Sequence, residues 1–437
     1  MSKHTSNRPS RRDFMRVAGS AAAAAATTRM LAANAVYAAE SDILRVGLVG
    51  CGGRGTGAAQ QALMADPNTE LVAMGDLFAD KLEGSLNKLK SYPPIAARVK
   101  VDPDHLFSGF DAYKHVVDSV DVVLLGETPA YRPLTFRYAV EQGKHCFVEK
   151  PIAVDPTGVR SVLATSKLAA EKNLNVVSGL CYRYHHAKRD ILARIHGGEI
   201  GDIVAMQTNY NTGTPWQPKD RLPEWTDMEY QNRNWYFYDW LSGDFNVEQH
   251  IHSLDKLAWA MGDEPPVKIW ANGGRAVRTA EKYGNIYDHF NTVYEYANGV
   301  RAYSSCRQWD NTDTDVSDTI MGTKGIAQLQ THELTRRDGT SWKHEPKDKD
   351  DMYQNEHNEF FAAIRKGTPI NNGEYMCKST MMGIAARMAA YTGRILSWDE
   401  AWNSPLNLMP EKLEFGPLPT PPLARPGETK LPEAAKA

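Results

Sequence analysis

The 437-residue chain lacks any apolar run suited to a transmembrane helix. Its small-residue stretch Ala18 to Ala26 is alanine-rich and is broken by Thr27, Thr28 and Arg29, so no stable membrane anchor is expected. Cysteine is scarce. Cys51, Cys146, Cys181, Cys306 and Cys377 are scattered, which excludes a disulfide framework and a C-x-x-C metal spacing. An excess of either charge is also missing. The chain has 50 Lys and Arg against 53 Asp and Glu, and no basic stripe interleaved with aromatics, so nucleic acid is not an expected partner. What remains, 42% apolar and 24% charged, is ordinary for a globular protein long enough to hold two domains.

One stretch organises the rest. The apolar run from Ile43 to Val49 suits a buried parallel strand and breaks directly into Gly50-Cys51-Gly52-Gly53-Arg54-Gly55, after which Thr56 to Ala65 reads as a helix. Strand, Gly-x-Gly-x-x-Gly and helix in that order describe a dinucleotide-binding turn. Gly50 makes the turn, Gly52 admits a pyrophosphate, and Gly55 lets the helix pack on the strand. A second strand, Glu70 to Gly75, ends in Asp76, an acid suited to the ribose hydroxyls of NAD and repulsive to the extra phosphate of NADP. A ligand-free glycine turn is the bland alternative.

Residues 41–179 continue the strand–helix alternation of a doubly wound α/β sheet. Strands over Val120–Leu125 and His145–Val148 end in Glu127-Thr128-Pro129 and Glu149-Lys150-Pro151, and such strand ends converge on one ligand cleft. Residues 180–400 read as an α+β domain on an open, largely antiparallel sheet. In it Asn298-Gly299 marks a hairpin, and one continuous helix is expected from Glu248 to Met261. Residues 401–437 form a Pro-rich tail. At the other end, Ser10-Arg11-Arg12-Asp13-Phe14-Met15-Arg16 and the small residues after it read as a twin-arginine export signal spanning residues 1–40, which predicts a periplasmic or otherwise exported protein.

The glycine turn, Thr128-Pro129, Glu149-Lys150-Pro151, Tyr182-Arg183 and Gly243…His252-x-x-Asp255 occur in an order that resembles the Gfo/Idh/MocA family, from Ile43 to about Leu396. The resemblance implies a Rossmann domain followed by an open-sheet domain, with NAD(P) between them. It places a catalytic lysine at Lys150 and maps an acid–histidine pair onto Glu248 and His252. It adds Gly53, Arg54, Glu127, Thr128, Pro129, Glu149 and Arg183 to the cofactor-binding set. The acid here is Glu instead of the family's usual Asp. The histidine that often follows Thr-Pro is absent, with Arg132 about there.

Oxidising an alcohol carbon requires an acceptor for the hydroxyl proton. Lys150 at a strand end is the candidate; a solvated surface lysine is the alternative. On a continuous helix Glu248, His252 and Asp255 would share one face, fit to bind sugar hydroxyls and pass protons, or simply to form a salt-bridged surface. His250 and His252 point apart on a helix, and no metal is expected. Trp216, Trp225, Trp235 and Trp240 lie among further aromatics, a pattern that suits a pyranose or, equally, a core or dimer interface. Arg233 and Trp235 are favoured for substrate. The resulting expectation is an exported NAD-dependent oxidoreductase acting on a sugar or glycoside, with its cofactor bound and recycled, and homo-oligomeric through the sheet domain. An NAD-dependent glycosidase of the α-N-acetylgalactosaminidase kind, and a non-enzymatic sugar or nucleotide sensor, are the rivals.

Overall fold

The computed structural model describes residues 42–346 and 348–432. The export-signal segment lies outside the described residues. Six parallel strands form the first sheet: β1 (Leu44–Val49), β2 (Thr69–Asp76), β3 (Leu106–Ser108), β4 (Val122–Leu125), β5 (His145–Val148) and β6 (Val176–Ser178). Their spatial order is β3-β2-β1-β4-β5-β6, a doubly wound arrangement whose order reverses beside β1. Strands β1, β4 and β5 are almost wholly buried because helices cover both faces, which explains their unbroken apolar runs. The short β3 carried too little pattern to be legible from sequence.

The second sheet has nine strands: β7 (Ile203–Thr212), β8 (Lys268–Gly274), β9 (His289–Glu295), β10 (Arg301–Gln308), β11 (Asp315–Gly322), β12 (Gly325–Gln328), β13 (Glu333–Arg336), β14 (Ser341–Lys343) and β15 (Leu396–Ser397). They run β14-β13-β12-β11-β7-β10-β9-β8-β15, antiparallel except where β7 and β10 pair in parallel. The expected hairpin at Asn298-Gly299 joins β9 to β10. Strand β10 alternates exposed and buried residues, so only one face of the sheet is covered, by the long helix Gly373–Thr392 and by the helix Ile251–Ala260.

Two segments bind the halves together. The helix Met352–Lys366 returns to pack on the helix Gly53–Ala65, placing Phe360, Phe361 and Ile364 in one core with Leu44, Val46 and Leu48. Beyond β15 and the short helix Trp398–Trp402, the Pro-rich chain runs extended across the surface. Leu408 N–H donates to Asp155 Oδ2 (2.8 Å), Leu418 N–H donates to Asp227 Oδ2 (3.0 Å), and Tyr287 Oη donates to the Ala424 carbonyl (2.9 Å).

Candidate active site

The glycine turn opens the site. Gly50 sits at φ +87°, and a Cβ there would strike the backbone of Glu127, so strand β1 can turn this tightly only with glycine. A Cβ on Gly55 would strike the Gly50 carbonyl, which is the close helix–strand approach expected of the third glycine. At Gly52 and Gly53 a Cβ would meet nothing within 4 Å: the turn fronts open space. The helix that follows has no side-chain cap and no acid in its first turn, leaving free N–H groups and a positive dipole end for an anion. Asp76, at the end of β2, accepts from the N–H groups of Cys51 (2.7 Å) and Phe78 (2.9 Å), and burial raises its pKa. A carboxylate has about four acceptor positions, so these two bonds leave capacity for ribose hydroxyls.

Gly50, Gly52, Gly53 and Asp76 line a cleft of about 730 Å³, within the range of cofactor and ligand sites. The same cleft is lined by Glu127, Thr128, Glu149, Lys150, Glu248 and His252, from the ends of β4 and β5 and from the second domain. Arg132 fastens the two strand-end loops: it donates to the carbonyls of Glu127 and Pro151. The side-chain atoms Glu127 Oε2, Thr128 Oγ1 and His252 Nδ1 are buried without a hydrogen-bond partner among the described residues. Unpaired polar atoms are costly in a protein interior, so three of them around one cleft fit a site that a polar ligand completes. The glycine turn, the free helix end and Asp76 are the residues that would hold NAD.

At the inner end, Lys150 Nζ donates to the Glu248 carbonyl (2.6 Å) and to Glu248 Oε1 (3.1 Å). His252 stands edge-on to Tyr182, ring centroids 5.2 Å apart. Burial, with the charge of Lys150 beside it, drives the His252 pKa well down, so its imidazole is neutral. Glu149 is buried and ion-paired with Arg54 (2.8 Å), and Arg54 covers the Tyr353 ring at 4.7 Å. Trp216, Trp235 and Tyr236 form one wall, and Tyr236 donates to Gln249 (2.8 Å).

The continuous helix expected from Glu248 is two pieces, a turn over Phe245–Glu248 and a helix over Ile251–Ala260. Between them His250 is drawn to Ser304 (2.6 Å), while Gln249 engages Tyr236 and Gln308. Glu248 and His252 nevertheless line the cleft together, and only Asp255 departs from the expected shared face. Glu248 pairs with Lys150, and Asp255 leaves the cleft altogether. Arg183 leaves with it: its guanidinium donates to Asp255 Oδ1 (2.8 Å) and to Asp263, between the rings of Trp259 and Tyr375. Pro129 and Gly55 do not line the cleft either. Arg233 lines it at the Asp76 end, not beside Lys150, bonded to Asp80 (3.2 Å) and Glu229 (2.9 Å) and lying over Phe78 at 4.0 Å. Of the aromatic stretch, Trp216, Trp235 and Tyr236 line the cleft while Phe237, Tyr238 and Trp240 are core. Tyr182, Tyr210, Gln249, Tyr353 and Leu413 also line it and were not singled out as site residues; only Tyr182 carried a signal, as the neighbour of Arg183.

Residues 44–179 match the oxidoreductase family with an NAD-binding Rossmann fold, and residues 189–328 match the Gfo/Idh/MocA C-terminal domain. The chain is 24% identical over 343 residues to an inositol 2-dehydrogenase of Rhizobium meliloti (strain 1021), covering 75% of this chain and 90% of that one. It is 23% identical over 314 residues to a glycosyl hydrolase family 109 protein of Shewanella baltica (strain OS155 / ATCC BAA-1091), covering 66% of this chain and 64% of that one. The chain spans 57% to 90% of the first curated relatives it matches. Among solved structures, aldose-aldose oxidoreductase from Caulobacter crescentus superposes with a TM-score of 0.63 at 18% identity, over 81% of this chain and 99% of that one. The chain belongs to the Gfo/Idh/MocA family of NAD-binding oxidoreductases.

Proposed function

We propose that this oxidoreductase acts on a sugar or glycoside, is exported, and keeps its NAD bound and recycled within the cleft. The observation that carries the reading is the placement of Lys150, held by Glu248 and beside His252, in the cleft that the glycine turn opens. NAD, when bound, supplies the two-electron redox chemistry. An ammonium has three N–H donors; Lys150 spends two on Glu248 and keeps the third for a substrate hydroxyl. For the hydroxyl proton to be taken up, Nζ first hands a proton to the adjoining Glu248 carboxylate, and the lone pair of the resulting amine then accepts the proton from the hydroxyl; the neutral imidazole of His252 offers a second acceptor. Trp216, Trp235 and Tyr236 present apolar faces to the C–H side of a ring, and Gln249 offers polar groups to its hydroxyl edge.

A chain carried out of the cytoplasm by the Arg11-Arg12 segment meets no free NAD pool, so each oxidation must be balanced by a reduction in the same cleft. Sugar–sugar oxidoreduction satisfies this. So does glycoside cleavage by oxidation, elimination, hydration and reduction, a second reading supported by the similarity to a glycosyl hydrolase family 109 protein. The test is to purify the protein without added cofactor, quantify nucleotide released by acid, and assay aryl glycosides and free sugars with no NAD supplied. Near-stoichiometric NAD and turnover without net redox consumption are expected. Protein that emerges empty and needs excess free NAD refutes the recycled-cofactor reading. The open face of the second sheet, with Tyr303 47% exposed and Trp270 across Val293 from it, would carry a homo-oligomer. Light scattering should show Tyr303→Glu smaller than the wild type; equal masses refute that interface.

A further inference from the structure

The Pro-rich tail lands on the nucleotide half of the cleft. Its course is pinned on both sides. Leu408 is held by Asp155, and Gly416 and Leu418 are held by the helix Asp227–Arg233, through Met228 N–H to the Gly416 carbonyl (3.1 Å) and Gln231 Nε2 to the Leu418 carbonyl (2.6 Å). Between these anchors Leu413 enters the lining of the cleft. Two residues on, the Phe415 ring stacks near Phe78, 6.1 Å between centroids at 28°, and packs against Phe110 at 5.2 Å. Phe78 and Phe110 line the cleft, from the loops that follow β2 and β3.

The direction of a dinucleotide across this sheet says what meets these rings. A pyrophosphate on Gly50–Gly53 and a ribose on Asp76 leave the base to lie beyond Asp76, away from Lys150. What stands there is Phe78, Phe110 and Leu413. We propose that these three residues form the adenine site of the bound nucleotide, with the C-terminal strap as one wall and Phe415 as a positioning residue that props the two rings. Phe110 offers an aromatic face for stacking, which needs no hydrogen-bond readout, while Phe78, buried with Arg233 over its ring and Phe415 near it, supports the site from beneath. A wall that belongs to the strap also has a kinetic consequence. The nucleotide leaves only when the segment between Leu408 and Gly416 lifts, so the strap slows exchange. This inference rests on the reading of the cleft as a nucleotide site and extends it to a segment outside both matched regions, 44–179 and 189–328.

The test compares wild type with Leu413→Ala, Phe415→Ala and the conservative Phe415→Tyr in the full chain. Release of radiolabelled NAD into excess unlabelled NAD is timed, and competition by AMP and by nicotinamide mononucleotide is titrated. Leu413 is half-buried and Phe415 is exposed, and melting curves check that each variant folds. Release is expected to quicken by about tenfold in both alanine variants, Leu413→Ala by removing an apolar wall and Phe415→Ala by unpropping the two rings, and to return towards wild type in Phe415→Tyr. AMP should weaken in step while nicotinamide mononucleotide is unchanged. Wild-type protein supplies a readout free of substitution: tryptic cleavage after the exposed Lys412 should slow with AMP or NAD and not with nicotinamide mononucleotide. If the wild type binds NAD but the variants match it in release and AMP affinity, or AMP gives no protection, the strap site is wrong and the nucleotide cleft stands. If the wild type binds neither NAD nor AMP, the nucleotide reading itself falls.

Discussion

Asp255→Asn separates a structural reading of this residue from a catalytic one. Asp255 is 1% exposed and accepts from Arg183 Nε (3.0 Å), Arg183 Nη2 (2.8 Å) and Ser379 Oγ (2.8 Å). The amide keeps the shape but removes the charge, and it turns one acceptor into a donor that faces a guanidinium. Breaking a buried ion pair by removing one partner costs about 3–5 kcal/mol. Two features move the expectation to the lower end: Asp263 still pairs with Arg183, and the Asn carbonyl still accepts one bond. Urea unfolding should therefore show a loss of about 3 kcal/mol with little change in slope. Turnover measured well below the unfolding midpoint should stay within about twofold, because Asp255 does not line the cleft. A variant that unfolds like wild type and loses turnover by about a hundredfold would refute this account and return Asp255 to the proton-handling set, since that is the scale of a general acid–base group.

Three further outcomes are expected. Lys150→Ala should retain NAD and lose about 10²–10⁴-fold in turnover, and adding Glu248→Gln should cost far less than the product of the two single losses, because the two groups act as one bonded pair; additive losses would separate them. Stability should fall as pH drops below about 6.5. His250 is held neutral in the fold with its pKa pushed down to about 3 by burial, so the unfolded chain takes up its proton first. At pH 5 this one group costs about 2 kcal/mol, with His145, His252 and His357 acting in the same sense; urea midpoints flat from pH 7 to 5 would contradict it. NAD should bind better than NADP to cofactor-stripped protein, because a 2′-phosphate would approach the Asp76 carboxylate; equal or tighter NADP binding in a titration overturns that role.

The parts of this protein that its sequence alone determined are those whose cause is local. Gly50 must turn where no Cβ fits, Asp76 must follow the strand it ends, and Asn298-Gly299 must reverse the chain between two alternating strands. Glu149-Lys150-Pro151 and Glu127-Thr128-Pro129 were placed in one cleft because parallel strands end on the same edge. The tertiary structure decided whatever depended on a partner distant in the chain. Helical spacing put Glu248, His252 and Asp255 on one face; the fold keeps Glu248 and His252 at the cleft with Lys150 and turns Asp255 to Arg183 and Ser379. Arg183 follows a cleft residue, Tyr182, yet turns to Asp255 and Asp263, which lie 72 and 80 positions away. The proline-rich composition marked the tail as extended. Distant anchors, among them Asp155, Asp227, Met228 and Gln231, determine that it crosses Phe78 and Phe110, because an extended chain takes the path its anchors allow.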